Sequence, residues 1–142
     1  MTLSGALSGA GDIEVFLDET TLTGTANSTL SGNFIVSGGH LLLLNKTNAT
    51  AIASTLTLSQ FGGTPNVRLL RANQFGDSAT IHFKSSSSIV DLNGFSDTIG
   101  SLIGTGGEIR CGTGMLTVGA NHKDCQYSGI ISGADEIGRA HV

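Results

Sequence analysis

The sequence is poor in charge, proline and large aromatic residues. Of its 142 residues only 13% are charged, one is proline and none is tryptophan, whereas a soluble domain carries roughly 25% charged residues. The seven basic residues stand singly in a chain of net charge −4, so we expect no nucleic-acid partner. No apolar run approaches the roughly 20 residues that a spanning helix requires, so we also expect no direct membrane insertion by this segment.

Features of a secretory signal are missing from the first residues, and the last residues break the pattern of the chain. Residues 1–5 lack a basic region followed by an apolar region, so either the protein is cytosolic or its true start lies upstream. Residues 137–142 resemble the translation of a widely used sequencing adapter. We therefore expect a native segment over residues 1–135, taken from a longer protein, and a non-native tail over residues 136–142.

Glycine, serine and threonine are plentiful instead, and they recur in similar motifs. The motif at 4–10 returns at 128–134, and a looser copy, 22–27 followed by 30–32, is similar to 116–121 followed by 127–129. Such self-similarity is typical of repeat architectures, and it indicates that the chain opens and closes at the same phase of a repeat. Stacked β units, which serve as scaffolds, are favoured over a catalytic domain.

Short segments with alternating apolar residues run through the whole chain. Bounded by Gly, Asn, Asp or Ser, they predict strands, whereas no segment has a convincing helical period. The predicted strands are 13–17, 33–36, 41–44, 55–58, 67–70, 80–83, 89–92, 99–103 and 115–118. A barrel or a sandwich could use such strands too, but repetition favours an all-β solenoid whose aliphatic side chains form one continuous core.

The second half of the chain resembles a known repeat family. The resemblance rests on residues 72–79 (ANQFGDSA), 91–102 (DLNGFSDTIGSL), 104–107 (GTGG), 112–121 (GTGMLTVGAN) and 127–133 (YSGIISG), in that order. This succession resembles the autotransporter-associated β-strand repeat, and in looser form the likeness covers residues 3–135. It implies a right-handed parallel β-helix with uncapped ends, within an exported passenger region displayed on a bacterial surface or secreted, and it supplies no catalytic residues.

Two cysteines and a charged insertion depart from that repeat. Cys111 and Cys125 could close a disulfide in an oxidising compartment, with a loop-entropy contribution of roughly 3 kcal/mol; alternatively, both are small core residues. His122 and Asp124 lie between them and suggest a metal site. A tetrahedral site needs more ligands than this cluster supplies, so we expect no metal and no cofactor.

Catalytic constellations are not evident either. His40 is interpreted as a turn or strand-start residue, and His82 as an outward residue between Ile81 and Phe83; neither belongs to a nucleophile elbow, since the chain has no G-x-S-x-G.

Paired carboxylates for glycoside cleavage could come from two places near the start. Asp12 and Glu14 share a strand face, while Asp18 and Glu19 are interpreted as loop residues. A solvated acidic rim is favoured over an active site. We therefore expect no catalytic residues and no enzyme.

Three asparagines occur in glycosylation-type sequons, Asn27, Asn45 and Asn48. We interpret them as markers of exposed turns, where asparagine bonds the local backbone or stacks in a ladder along a solenoid.

The expected function is that of a non-catalytic stalk or adhesive scaffold on an exported bacterial surface or secreted protein. Its location would be extracellular or at the cell surface, held to the outer membrane through other parts of the protein. Expected partners are the neighbouring repeats of the same chain, and glycans or host and matrix surfaces. The alternatives left open are a polysaccharide-cleaving enzyme on a β-helix and a glycan- or matrix-binding adhesin module.

Overall fold

The computed structural model describes residues 1–16, 18–59, 61, 63–134 and 140–141. Strands are the only regular elements in these residues, and every strand pairing is parallel. The chain winds as a β-solenoid of about six turns. The predicted all-β parallel β-helix is confirmed.

Fifteen short strands build the solenoid. They are β1 (Thr2–Leu3), β2 (Ile13–Val15), β3 (Glu19–Gly24), β4 (Asn33–Ser37), β5 (Leu41–Lys46), β6 (Thr55–Ser59), β7 (Asn66–Leu69), β8 (Thr80–Phe83), β9 (Ile89–Asp91), β10 (Asp97–Ile99), β11 (Ser101–Gly104), β12 (Glu108–Arg110), β13 (Leu116–Val118), β14 (Ile130–Ser132) and β15 (Ala140–His141).

The strands form three sheets that run along the solenoid axis. Sheet A has the order β1-β3-β5-β7-β9-β12-β14, sheet B the order β11-β8-β6-β4-β2, and sheet C the order β10-β13-β15. A turn of the C-terminal half passes from sheet A to sheet C and then to sheet B. In the N-terminal half, irregular chain takes the place of sheet C, with an isolated bridge between Ile52 and Phe75.

Inward side chains stack in columns, since each strand pairs in register with the next turn. In sheet A, Leu22, Leu44 and Leu69 are registered partners; in sheet B, Leu56 and Ile81 are. All five are fully buried. Burying one such side chain stabilises the fold by roughly 1.5–3 kcal/mol, so these columns provide the main stabilisation of the fold.

The length of a turn varies while the register does not. Thr2 pairs with Thr21, an offset of 19 residues, and Leu43 pairs with Arg68, an offset of 25 residues. The extra residues lie in the corners between strands. The corners therefore absorb the differences in length.

All nine predicted strands coincide with observed ones, apart from small shifts at their ends and from Leu17 of the predicted strand 13–17, which lies outside the described residues. The predicted strand 99–103 is divided at Gly100 into β10 and β11. A Cβ atom at Gly100 would lie 2.9 Å from the backbone of Ser78 on the preceding turn, so the chain bends where only glycine fits. Strands β1, β3, β12, β14 and β15 were not predicted.

The prediction that both ends share one phase of the repeat is wrong. Ser4 and Gly5 follow β1, whereas Ser128 and Gly129 precede β14, and both strands belong to sheet A. Leu22 and Leu116 likewise lie in different sheets. Glycine-bounded β segments look alike at every corner, so sequence similarity does not report the phase.

Most of the predicted non-native tail, residues 136–139 and 142, lies outside the described residues. The backbone of β15, within that segment, pairs with β13.

Candidate functional site

A line of buried polar side chains crosses the turns at the corner where the strands of sheet A end. We call Lys46, Gln74 and Asp97, which lie on successive turns, the polar spine. The side-chain oxygen of Gln74 accepts the backbone N–H of Lys46 at 2.7 Å, and its amide nitrogen donates to the carbonyl of Lys46 at 3.0 Å. The backbone N–H of Gln74 in turn donates to Asp97 Oδ2 at 2.6 Å. Each turn is thereby bonded through a side chain to the next.

The ammonium group of Lys46 extends the spine towards the N-terminal turns. Lys46 Nζ donates to the carbonyl oxygens of Gly5 and Ala26, at 2.8 Å each. Burial lowers the pKa of this group, since desolvation disfavours the charged form. One side chain thus connects three successive turns.

Asp97 ends the spine as an acceptor of several backbone N–H groups. Its carboxylate accepts from Gln74, from Phe75 at 3.3 Å and from Thr98 at 2.9 Å. Burial raises the pKa of Asp97 to about 6, the three hydrogen bonds oppose that rise, and nearby Asp77 adds to it. The carboxyl group therefore titrates near neutral pH while it holds the corner together.

An open groove lies on the surface beside the polar spine. Its main part holds about 660 Å³, and a neighbouring hollow of about 510 Å³ shares Asn27, Thr50 and Asn73 with it. We call this surface the asparagine groove. The residues that line the groove include Asn27, Asn48, Thr50, Arg71, Asn73 and Phe95.

The amide groups of the groove are largely unengaged within the protein. Asn27 Oδ1 accepts the backbone N–H of Thr50 at 2.8 Å, which leaves its amide nitrogen without a bond to any described residue. Asn48 and Asn73 are exposed, and their side chains make no hydrogen bond in the described part of the chain. Both have positive φ, 51° and 56°. The amide donors and acceptors of Asn48 and Asn73 therefore face solvent.

A cation and an aromatic ring complete the groove. Arg71 Nε donates to Asn45 Oδ1 at 3.0 Å, and among the described residues the other guanidinium nitrogens have no partner. Phe95 is half-buried and packs against the core, so part of its ring faces the groove. The groove therefore presents amide, guanidinium and aromatic groups to a polar ligand.

The predicted acidic rim consists of exposed side chains that accept hydrogen bonds from the next turn. Asp12 accepts from the backbone and side-chain nitrogens of Asn33, at 2.7 and 3.1 Å, and Glu14 accepts from the hydroxyl of Ser37. Both are exposed, but only Glu14 lies on a strand, since Asp12 directly precedes β2. Glu19 begins β3 rather than lying in a loop, a correction that arises because the Thr-rich segment of β3 has no apolar alternation by which to predict a strand.

His40 and His82 lie where the sequence analysis predicted. His40 follows the Gly38-Gly39 turn and precedes β5, and His82 is half-buried between two buried residues. Burial, and secondarily the charge of Lys84, lower the pKa of His82. His40 contacts exposed Phe16 edge to face, with ring centroids 6.5 Å apart.

The two cysteines occupy different parts of a turn. Cys111 follows β12 and is fully buried in the core, while Cys125 is half-buried and its thiol donates to the carbonyl of Lys123 at 3.7 Å. The disulfide between them stays a prediction. In the described residues no three His, Cys, Asp or Glu side chains are grouped so that they could hold a metal ion.

The sequon asparagines are only partly explained by turns. Asn27 and Asn48 lie in exposed corners, as predicted, but Asn45 is a half-buried residue of β5, because β5 extends two residues beyond its apolar run. The sequence analysis did not single out Lys46, Gln74, Asn73 or Arg71. Their separations vary with corner length, so no fixed spacing signals them.

Comparisons with known proteins give no relative for this chain: no family model matches it, and neither the curated proteins nor the solved structures contain a match. No helix in the described part of the chain is long and apolar enough to cross a membrane. The resemblance to the autotransporter-associated repeat stays a prediction.

Proposed function

We propose that this chain is a non-catalytic structural segment of an exported bacterial surface or secreted protein, where it acts as a β-helical stalk or adhesive scaffold. Its place is extracellular or at the cell surface. Attachment to the outer membrane is supplied by other parts of such a passenger protein.

The observation that carries the proposal is the uninterrupted stack of sheet A. Seven strands pair in parallel from β1 to β14, with a column of buried side chains behind them. At about 4.8 Å per turn, each added turn extends the molecule along one axis without changing its cross-section. This geometry suits a spacer whose reach depends on the number of turns.

Cross-turn bonds between polar side chains support the role of a stalk that resists mechanical force. The polar spine connects turns at one corner, and on sheet A the side chains of Arg68 and Asp91, registered partners, form an ion pair at 3.4 Å. The pair is partly exposed and contributes less than about 1 kcal/mol by itself. Together with the ladders, these bonds resist separation of the turns.

Exposed aromatic residues favour an adhesive version of this function. Phe16 and Phe61 are 64% and 76% exposed, so two large apolar rings lie open to a partner at the surface. A scaffold that also contacts a partner accounts for both the stack and these side chains.

Surface display in a Gram-negative host tests the export proposal. A signal sequence is followed by an epitope tag, the chain and an autotransporter translocator, and intact cells are labelled with antibody and then treated with trypsin. We expect a labelled tag and a protease-resistant segment. The variant Leu58→Asp, which puts a charge into the core, is the control and should be degraded. Failure to display a chain that folds in the cytosol would contradict the proposal.

Activity on polysaccharides tests the non-catalytic part. The purified chain is incubated with neutral and acidic polysaccharides, and the release of reducing ends is measured. We expect none above background. Turnover that disappears in the double variant Asp12→Asn, Glu14→Gln would show that the chain is a polysaccharide-cleaving enzyme.

A further inference from the structure

We propose that the asparagine groove binds a linear, hydroxyl-rich neutral polysaccharide that lies parallel to the solenoid axis. This rests on the adhesive form of the proposed function and deepens it by naming the site and the class of ligand. The groove is continuous over several turns, so a chain-like ligand fits it better than a compact one.

The spacing of the groove residues matches a polymer of sugars. Asn27, Thr50 and Asn73 lie on successive turns, and the bond from the Thr50 N–H to Asn27 shows that the first two turns are in contact. Adjacent turns are about 4.8 Å apart, close to the length of one hexose in an extended β-linked chain. Each sugar would therefore meet one polar side chain.

The chemistry of the side chains selects hydroxyl groups. An amide offers both donors and an acceptor, so Asn48 and Asn73 can pair with hydroxyls in either orientation. Arg71 adds donors, and the exposed part of the Phe95 ring supplies an apolar surface for the C–H face of a sugar. A phosphate backbone would require several cations, and of the two in the groove the Lys46 ammonium is bonded to carbonyl oxygens.

The groove is held in shape before any ligand arrives. Asn73 is followed directly by Gln74 of the polar spine, whose side chain is bonded to the turn before it and whose backbone is bonded to the turn after it. Asn73 also donates its backbone N–H to the carbonyl of Ser96 at 3.3 Å. Since little chain must be ordered on binding, weak hydrogen bonds suffice for measurable affinity.

The test measures binding of cellohexaose, an extended β-linked hexasaccharide, by calorimetry and by amide chemical shifts of the 142-residue chain. Maltohexaose, whose α links curl the chain, is the comparison ligand. We expect cellohexaose to bind and to shift the resonances of residues 48–50 and 71–73, and maltohexaose to bind at least several-fold more weakly.

Variants identify the groove as the site. The double variant Asn48→Gly, Asn73→Gly removes both amides, and glycine accepts the positive φ without strain. Loss of two hydrogen bonds should weaken binding about tenfold or more. His122→Gly is the matched control, because His122 is exposed with φ of 56° and lies outside the groove; it should bind as the parent does.

Three results would overturn the proposal. The first is the absence of cellohexaose binding by the folded chain. The second is unchanged affinity in the double glycine variant together with loss of binding in Phe61→Ala, which would move the site to the exposed aromatic residues. The third is preferential binding of an extended peptide over the hexasaccharide, which would make the groove a protein-docking surface.

Discussion

At the residue scale, Asp97 shows how one buried carboxylate organises a corner. Its oxygens accept from three backbone N–H groups on two turns, groups that would otherwise lack partners where the strands end. The same burial makes the charged form costly and raises the pKa to about 6. Protonation of Asp97 is therefore coupled to the stability of the folded corner.

That coupling predicts a pH dependence of stability. The folded-state pKa lies above the ordinary value of 3.8, so between these two values the folded chain binds more protons than the unfolded chain. The contribution of Asp97 is fully present below about pH 4 and is lost as the pH rises through 6, a change of about 3 kcal/mol. We expect the free energy of unfolding in urea to fall by this amount relative to Asp97→Asn between pH 4 and pH 7.

The comparison with Asp97→Asn removes the contributions of all other titrating groups. Asparagine keeps one acceptor oxygen but cannot ionise, so its stability should lack this step. A parent protein that gains stability over Asp97→Asn as the pH rises would show that the backbone N–H groups favour the carboxylate more than burial disfavours it.

Strand alternation predicts which face a residue occupies, but not whether a charged side chain is buried there. The outward placement of His82 follows from period two. Lys46 lies on the same face as buried Leu42 and Leu44, yet its burial could not be predicted, since a lysine at the end of an apolar strand is ordinarily solvated. Only the three-dimensional position of the Gly5 and Ala26 carbonyls explains it.

At the scale of elements, glycines at the strand ends make room for the rings of neighbouring turns. Gly104 lies in register between Phe83 and Tyr127, and the two rings meet with centroids 5.3 Å apart. A Cβ atom at Gly104, where φ is 140°, would lie 2.5 Å from the Phe83 carbonyl oxygen. β11 must therefore end in glycine for this aromatic contact to form.

Gly104→Ala should consequently destabilise the protein more than Gly119→Ala. At Gly119 φ is also positive, 107°, but a Cβ atom would meet nothing within 4 Å. We expect a loss of about 2 kcal/mol from backbone strain alone at Gly119 and about 4 kcal/mol at Gly104, where crowding adds to it. Thermal and urea unfolding measure the loss of stability in both variants. Equal losses would mean that the backbone around Phe83 shifts to accommodate the new methyl group.

Strands were predictable because alternation is a local property, whereas corners depend on the turn beneath. The apolar run at 41–44 was enough to locate β5. The segment of β3, with Thr20 buried and Thr21 half-buried, has no apolar alternation to reveal it. Its place is fixed by pairing with β1 and β5.

At the scale of the whole molecule, each turn contacts chiefly its neighbours. Interior strands such as β6 pair on both sides, while β14 pairs with β12 alone among the described strands. The stability of such a stack is approximately a sum over turns and their interfaces. Protection should therefore be highest in the middle and lower towards both ends.

Hydrogen exchange can measure that gradient and its response to mutation. Leu58→Ala removes a fully buried side chain registered with Val36 and Phe83, and should cost about 3 kcal/mol and speed exchange in β4 and β8 as well as β6. Ile131→Ala, on β14, should affect β12 and β14 only. Uniform acceleration by both variants would show that the solenoid unfolds as one unit.

The architecture was predictable at this scale, but the groove was not. Composition, repetition and alternation are properties of the whole chain and lead to a solenoid. The groove requires Asn27, Asn48 and Asn73 to meet across turns whose lengths differ. Corner lengths have no simple sequence rule, so the phase of the turns, and with it the groove, had to come from the structure.

The unequal turn lengths, from 19 to 25 residues, also have a genetic consequence. Several codons can be gained or lost at a corner while the next strand still enters the stack in register. One codon added inside a strand would instead invert the facing of every side chain after it in that strand. A gene for this kind of protein can therefore accumulate insertions and deletions at its corners, and its lineage can alter the outer surface without rebuilding the core.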